Sequence, residues 1–339
     1  MKAARFERNR VYLEDVKDPV PRPGEAVLEV AYTAFCGSDK RLLREGAACI
    51  PGHEIVGRVI ELGDGAETVV LGQAAAVYIL LYCGLCEWCK QGMTNRCTAM
   101  AGLVGWQVDG GFAEKLRVPV RNLLPVPPDI PIRQAVLALD TLGTAANGLN
   151  RAISVVDGRV GPVLVLGCGP LGLGVIAVAR ARGLEVVAHD IVASRLEAAC
   201  ALGARGVEAD VMAWIDAGAT DTIPETQFSV VVEASGALAA KSIASQLVGH
   251  GGAVLMLGEG EQPWSLPASV HWRRTEATWV RSFYFPIHQA NENWQLVREV
   301  GKNLEELLVS YAPLSDLSRI SDEFLRGLVT KPVIVIVDD

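Results

Sequence analysis

Four cysteines, Cys83, Cys86, Cys89 and Cys97, follow the spacing C-x2-C-x2-C-x7-C. Thiolates this close in sequence can close tetrahedrally around one zinc ion and leave no open position, which is the mark of a structural site. Iron–sulfur clusters use related spacings, but no proline follows the last cysteine, and zinc is the reading adopted. Upstream, Cys36-Gly37-Ser38-Asp39 and Pro51-Gly52-His53-Glu54 offer another thiol and an imidazole. These are ligands that suit zinc, although the pair taken alone is better read as a buried thiol and a capped histidine. Eight cysteines are present in all, at 36, 49, 83, 86, 89, 97, 168 and 200. In a reducing compartment their clustering points to metal and not to disulfides. Cys49 is read as a packed or exposed thiol.

A second chemistry lies in Val163 to Asp190, VLVLGCGPLGLGVIAVARARGLEVVAHD. Gly167, Gly169 and Gly172 fit G-x-G-x-x-G between an apolar run and a helix-like segment that Pro170 and Leu171 open. Gly167 allows the tight turn, Gly169 lets backbone approach a pyrophosphate, and Gly172 lets helix and strand pack closely. The helix start presents unpaired N–H groups to phosphate. A second apolar strand ends at Asp190, eighteen residues after Gly172, where a carboxylate can accept hydrogen bonds from the adenosine ribose. Its charge favours NAD over NADP, whose 2′-phosphate it would repel.

Those residues need elements to hold them. Residues from Met1 to about Leu80 read as short strands with turns at Pro19, Pro21, Pro23-Gly24 and Pro51-Gly52, the texture of a small β domain. After Asp190 come the helical SRLEAACALGA and the strand–turn units FSVVVEASG and GGAVLMLGEG. Strands alternating with helical runs predict a doubly wound parallel sheet, an α/β Rossmann class. Ligands bind beyond the carboxyl ends of such strands, which makes Ser235 and Gly258 neighbours of the cofactor, or else ordinary turn residues. The tail holds a helical ENWQLVREVGKNLEELL, an amphipathic SDEFLRGLV and a closing strand KPVIVIVDD.

Composition narrows the partners. The 339 residues favour two domains, and the net charge of −8 argues against nucleic acid. Two uncharged windows, Thr68 to Cys86 and Val160 to Ala179, contain Gly72 and Gln73 or the glycine turn with Pro170. They read as buried strands and turns, not membrane spans. MKAARFERNR lacks a signal-peptide core, so the cytoplasm is the expected location. His189, His250, His271 and His288 show no ligand spacing and are expected to pack or face solvent. Trp264, Trp272, Trp279 and Trp294 line either a substrate cleft or a subunit contact.

The order of CGSDKR, PGHE, CGLCEWCKQGMTNRC, DGGFAEKLRVP and GCGPLG resembles the zinc-dependent medium-chain dehydrogenases/reductases, which include alcohol, polyol and threonine dehydrogenases. The likeness spans nearly the whole chain. It implies a discontinuous, mainly-β (GroES-like) catalytic domain over residues 1–140 and 284–339, with the lobe at about 83–97. It also implies a dinucleotide-binding domain over 141–283, and a reaction held in the cleft between the two. One structural and one catalytic zinc per chain follow from the same likeness.

Carried over by motif, Cys36 and His53 are two ligands of the catalytic zinc. Asp140 falls where many relatives have the glutamate of an E-P-L motif, although Thr141 replaces the proline. Its alternative role is a helix N-terminal acid. Glu54 matches a glutamate beside the metal, Ser38 the hydroxyl that begins proton exit, and Arg195 a residue at the adenosine edge. Two departures stand out. Relatives often carry a histidine three residues after the serine; this chain has Arg41, which cannot cycle a proton. Arg41 is therefore expected to contact a cofactor phosphate or an anionic substrate, or to be a solvated surface residue. Only sixteen residues separate Cys36 from His53, a shortened loop.

The expected activity is hydride transfer between NAD and a secondary alcohol that resembles a polyol, sugar, cyclitol or amino alcohol. The expected partner is a small-molecule alcohol or ketone, and the expected assembly a homodimer or homotetramer. Two rivals remain: a biosynthetic carbonyl reductase using NADPH, and a dinucleotide-binding relative without turnover.

Overall fold

The computed structural model describes residues 1–158, 160–207, 228–260, 262–266 and 270–337. The chain divides into two units, Met1–Asp140 with Phe285–Asp339, and Thr141–Tyr284.

The first unit is mainly β. A seven-stranded sheet runs Val309–Pro313, Lys331–Val335, Glu25–Ala34, Glu54–Leu62, Ala74–Val77, Leu123–Pro125, and Lys115–Pro119 also pairs with Glu25–Ala34. The central strand EAVLEVAYTA is almost wholly buried, because neighbours flank it on both edges and side chains cover both faces. On one side Phe6, Phe35, Phe112 and Phe324 form a ring cluster, with Phe35 and Phe112 centroids 4.7 Å apart. Register does the positioning. Ala34 pairs with Glu54 and with Val333, and Phe35 N–H donates to Pro332 O at 2.9 Å. The ends of three adjacent strands therefore bring Cys36, Glu54 and Lys331 to one place.

The second unit is a six-stranded, all-parallel sheet in the order Arg205–Gly206, Val186–His189, Val163–Leu166, Phe228–Glu233, Val248–Met256, Thr278–Arg281. Numbered along the chain this is 3-2-1-4-5-6, the doubly wound Rossmann order. VLVL is buried at every position, and the helix Pro170–Ala181 covers it, with Pro170 in its first turn where a missing N–H costs nothing. The order reverses between Val163–Leu166 and Phe228–Glu233. A dinucleotide binds at such a switch point.

The helices anticipated in the tail are Ala290–Leu308 and Leu317–Leu325, followed by the strand Lys331–Val335. Among the described residues no helix is long and apolar enough to cross a membrane. Thr68–Cys86 carries the strand Ala74–Val77, and Val160–Ala179 carries the first Rossmann strand and most of its helix.

Candidate functional site: two donor clusters and a glycine turn

Among the described residues, metal-type donors converge in two places. Cys83, Cys86, Cys89 and Cys97 form one group, and Cys36, His53, Glu54 and Asp140 the other, with all ligand atoms within 4.8 Å in each.

The lobe cysteines sit around the short helix Glu87–Lys90. Cys83 Sγ and Cys89 Sγ are 3.9 Å apart, close to the roughly 3.8 Å edge of a tetrahedron of sulfurs at zinc–sulfur distance. The backbone N–H groups of Leu85 and Cys86 both donate to Cys83 Sγ at 3.3 Å. Those bonds lower the Cys83 pKa, and similar backbone donors bring Cys86 down to about 6, while burial pushes Cys89 up to about 12. Four neighbouring thiols cannot all ionise without a cation, and a dication would settle all four. The donor set fits structural zinc.

In the second group His53 is held by a glycine-walled turn. Gly52 has φ +94, and a Cβ there would meet Thr33 and the Phe112 backbone at 2.8–2.9 Å. The DGG segment closes over it: Gly110 N–H donates to Ile50 O, Gly111 N–H to Gly52 O and Phe112 N–H to Pro51 O. His53 Nε2 then lies 3.3 Å from Asp140 Oδ2, about the edge expected of nitrogen and oxygen ligands on one zinc. Asp140 opens a π-helical turn, Asp140–Thr144. Such local insertions are frequent at functional sites.

The other imidazole nitrogen, Nδ1, is 3.1 Å from Asp39 Oδ1, an oxygen without a hydrogen-bond partner among the described residues. Asp39 Oδ2 accepts the Cys36 N–H at 2.9 Å. The Trp106 indole N–H also approaches Nδ1, at 3.3 Å. A metal at Nε2 would place the imidazole proton on Nδ1, facing the Asp39 carboxylate in place of the Trp106 donor.

The electrostatics of this group suit a bound cation. Burial disfavours the His53 imidazolium, but the charge of Asp39, with hydrogen bonds to Asp140, Asp39 and Cys36, outweighs it and raises the pKa well above normal. Burial, then Asp140, raises the Cys36 thiol. Burial also pushes Asp140 up, but its His53 hydrogen bond prevails and the carboxyl lies below its usual range. A partly buried set with this many acidic donors is one that a dication suits.

Glu54 is fully buried with Oε2 unpartnered among the described residues, while Oε1 accepts from Lys331 Nζ at 2.5 Å. Ser38 precedes the helix Asp39–Glu45 without spending its hydroxyl on a cap. Arg41, on that helix, is exposed, and its guanidinium lies 4.8 Å over the Trp106 ring.

At the switch point of the parallel sheet, Gly167 has φ +96, and a Cβ there would strike Ser235 at 2.8 Å. A Cβ on Gly172 would fall 1.9 Å from Gly167 O, whereas one on Gly169 would meet nothing within 4 Å. Packing needs the first and third glycines; the open space at Gly169 is where backbone can meet a ligand. Asp190 braces this turn, accepting from Cys168 N–H at 2.6 Å and Val192 N–H at 2.8 Å. Arg195 lies in the following helix, Ala193–Ala201. Glu233 Oε1 accepts from Ser235 N–H, Ser235 Oγ–H and Gly236 N–H at 2.6–2.8 Å, and its carbonyl accepts from Gly258 N–H at 2.9 Å. Ser235 and Gly258 are thus held at one strand end.

Four residues of these sites carried no role in the sequence reading: Asp39, Trp106, Lys331 and Glu233. Only Asp39 had a local signal, an acid three residues after a ligand cysteine. His189, His271 and His288 contact the carbonyls of Val207, Val248 and Gly92, and neither they nor His250 enter a donor group among the described residues. Trp279 packs at a tilt against both Trp264 and Trp272, and Trp294 is buried in the first unit. Burial pushes the Cys49 thiol up to about 11.

The Rossmann strand order, the glycine turn and the two zinc-type donor groups define an oxidoreductase that works with a nucleotide and a metal. Residues 22–128 match the alcohol dehydrogenase GroES-like domain and residues 170–299 the zinc-binding dehydrogenase domain. L-galactonate-5-dehydrogenase of Escherichia coli is 32% identical over 92% of this chain and 93% of its own length. L-threonine 3-dehydrogenase of Xanthomonas axonopodis pv. citri is 33% identical over 96% of each. The alcohol dehydrogenase of Thermus sp. ATN1 superposes with a TM-score of 0.89 at 27% identity, covering 99% of this chain and 100% of that one. The chain belongs to the zinc-dependent medium-chain dehydrogenase/reductase superfamily, and it is an alcohol dehydrogenase enzyme.

Proposed function

We propose that this enzyme oxidises the secondary hydroxyl of a polyol-, sugar-, cyclitol- or amino-alcohol-like substrate with NAD. The observation that carries the reading is the 3.3 Å approach of His53 Nε2 to Asp140 Oδ2 within a group that includes Cys36. Cys36, His53 and Asp140 would hold the catalytic zinc as its three protein ligands. Bound there, zinc would supply Lewis acidity to the alcohol oxygen and the nicotinamide would supply a hydride acceptor.

The remaining steps fall to the chain. Asp39 orients His53, and Lys331 ties back one oxygen of Glu54. Ser38 takes the hydroxyl proton and passes it to water, because Arg41 cannot relay it. Gly167, Gly169 and Gly172, with Pro170 and Leu171 at the helix start, receive the pyrophosphate; Asp190 receives the ribose and disfavours a 2′-phosphate. Arg195, Ser235 and Gly258 complete the nucleotide site. Cys83, Cys86, Cys89 and Cys97 hold the lobe zinc. The matched relatives act, by their names, on L-galactonate and L-threonine, which supports a polar secondary alcohol. The reading extends to a cytoplasmic homodimer or homotetramer, testable by light scattering.

The deciding experiment is metal analysis with an NAD and NADP reduction screen over sugar acids, alditols, cyclitols and amino alcohols. Two zincs per chain and NAD-linked oxidation are expected. A single zinc with no oxidation would sink the reading, and strong preference for NADPH-driven carbonyl reduction would reverse it.

A further inference from the structure

Arg41 belongs to neither donor group and lies outside the glycine turn. It occupies the short helix Asp39–Glu45, which starts directly after Ser38. Its guanidinium sits 4.8 Å over the Trp106 ring. Trp106 in turn puts its ring centroid 5.9 Å from that of His53 and its Nε1 3.3 Å from His53 Nδ1. The cation is therefore held one ring away from a ligand of the proposed metal. Among the described residues Arg41 makes no ion pair. Stacking leaves the planar edge of the guanidinium, with its fork of N–H donors, open to a ligand, and a stacked side chain has less freedom to lose on binding.

We propose that Arg41 is the carboxylate anchor of the substrate site, so that the enzyme selects hydroxy acids over neutral polyols. This rests on the proposed function, because the hydroxyl of the same molecule must sit at the group formed by Cys36, His53 and Asp140. A carboxylate fits the guanidinium fork with two parallel hydrogen bonds. A phosphate dianion calls for more positive charge than one arginine, and the adjacent Lys40 is directed over the Phe324 ring at 5.0 Å. The two matched relatives, named for L-galactonate and L-threonine, both have carboxylate substrates.

The test uses zinc-loaded enzyme and substrate pairs that differ only at the carboxylate: L-galactonate against galactitol, and L-threonine against L-threoninol. In the unaltered protein kcat/KM favours the acid in at least one pair. In Arg41→Gln that acid-over-neutral ratio falls about 10- to 100-fold, the loss expected of a charge-assisted bidentate contact. Calorimetric binding of the same acid weakens in parallel, while zinc content and near-UV circular dichroism match those of the unaltered protein. A ratio unchanged by Arg41→Gln overturns the assignment, as does a preference for the neutral partners or for galactitol 1-phosphate in the unaltered enzyme. Those results leave the alcohol dehydrogenase reading standing. If no compound of either pair reduces NAD or NADP, the proposed function fails first and the anchor goes with it.

Discussion

Lys331 Nζ lies 2.5 Å from Glu54 Oε1, and both side chains are withdrawn from water. Burial pushes the Glu54 carboxyl up to about 7 against the pull of Lys331. Burial pulls Lys331 down, but Glu54 outweighs it and raises the pKa. Removing one partner of such a pair strands a buried charge, whereas removing both can be nearly neutral. Lys331→Met is expected to destabilise the protein by about 3–5 kcal/mol, with Glu54→Gln added to it restoring most of the loss. Urea denaturation of the two variants checks this. Equal stability of Lys331→Met and the unaltered protein would show the pair to be dispensable.

That contact also marks what a sequence can reveal. The lobe cysteines and the glycine turn are legible because their partners are near neighbours in the chain, so spacing alone carries the geometry. The place of Asp190 beside that turn is legible for the same reason, one strand–helix–strand unit away, while its bonds to Cys168 and Val192 N–H come from the fold. Glu54 and Lys331 are 277 positions apart. A lysine that heads the apolar run PVIVIV reads as a rim residue until Lys331–Val335 is seen to pair with Glu25–Ala34. The stack of Arg41 on Trp106 depends likewise on a turn and a helix meeting in space. Asp140 is legible only through motif resemblance, and its distance from His53 comes from the fold. Residues 208–227, between the helical SRLEAACALGA and FSVVVEASG, lie outside the described residues.

The two donor groups are expected to fail differently. Cys36→Ser removes one zinc and abolishes oxidation, because it empties only a site made of pre-formed strand ends. Cys89→Ser removes the other and lowers stability by more than about 2 kcal/mol, since the lobe has few buried apolar side chains to hold it without metal. Zinc per chain by mass spectrometry, read beside thermal unfolding, separates the cases. Loss of both metals in either variant would mean the sites are not independent.

Asp39 tests whether the partner of a ligand matters as much as the ligand. Asp39→Asn keeps size and shape but takes away the charge facing His53 Nδ1 at 3.1 Å. Metal affinity or activity is expected to fall about 10- to 100-fold. Competition with a chromophoric chelator measures the affinity, and circular dichroism should stay unchanged. An unaltered zinc affinity would show the Asp39 charge to be dispensable to the metal site.

The glycine turn yields a paired test. Gly172→Ala forces a Cβ to 1.9 Å from Gly167 O, so the helix must shift, at a cost of about 1–3 kcal/mol. Gly169→Ala meets no protein atom within 4 Å and has φ −72, so stability should move by less than about 0.5 kcal/mol. Its added methyl instead occupies the approach to the pyrophosphate, and NADH affinity is expected to fall about tenfold or more. Fluorescence titration with NADH distinguishes the two. Normal binding by Gly169→Ala would move the phosphates elsewhere.

Glu305 supplies a pH dependence away from the metal. It accepts from Arg133 Nε at 2.7 Å, Gln134 Nε2 at 2.6 Å and the Tyr311 hydroxyl at 2.6 Å. Burial pushes its carboxyl up, but the bonds from Tyr311, Gln134 and Arg133 outweigh burial and leave the pKa below the ordinary glutamate value. The folded pKa is thus lower than the unfolded one, so the unfolded chain takes up this proton first on acidification. The stabilisation is present above the unfolded pKa of about 4.3 and is lost as the pH falls through the folded value. Water screens part of the network, so Glu305→Gln is expected to cost about 1 kcal/mol at pH 7. The gap between the two proteins should narrow towards pH 3. Parallel denaturation curves at both pH values test the sign, and a gap that widened on acidification would contradict it.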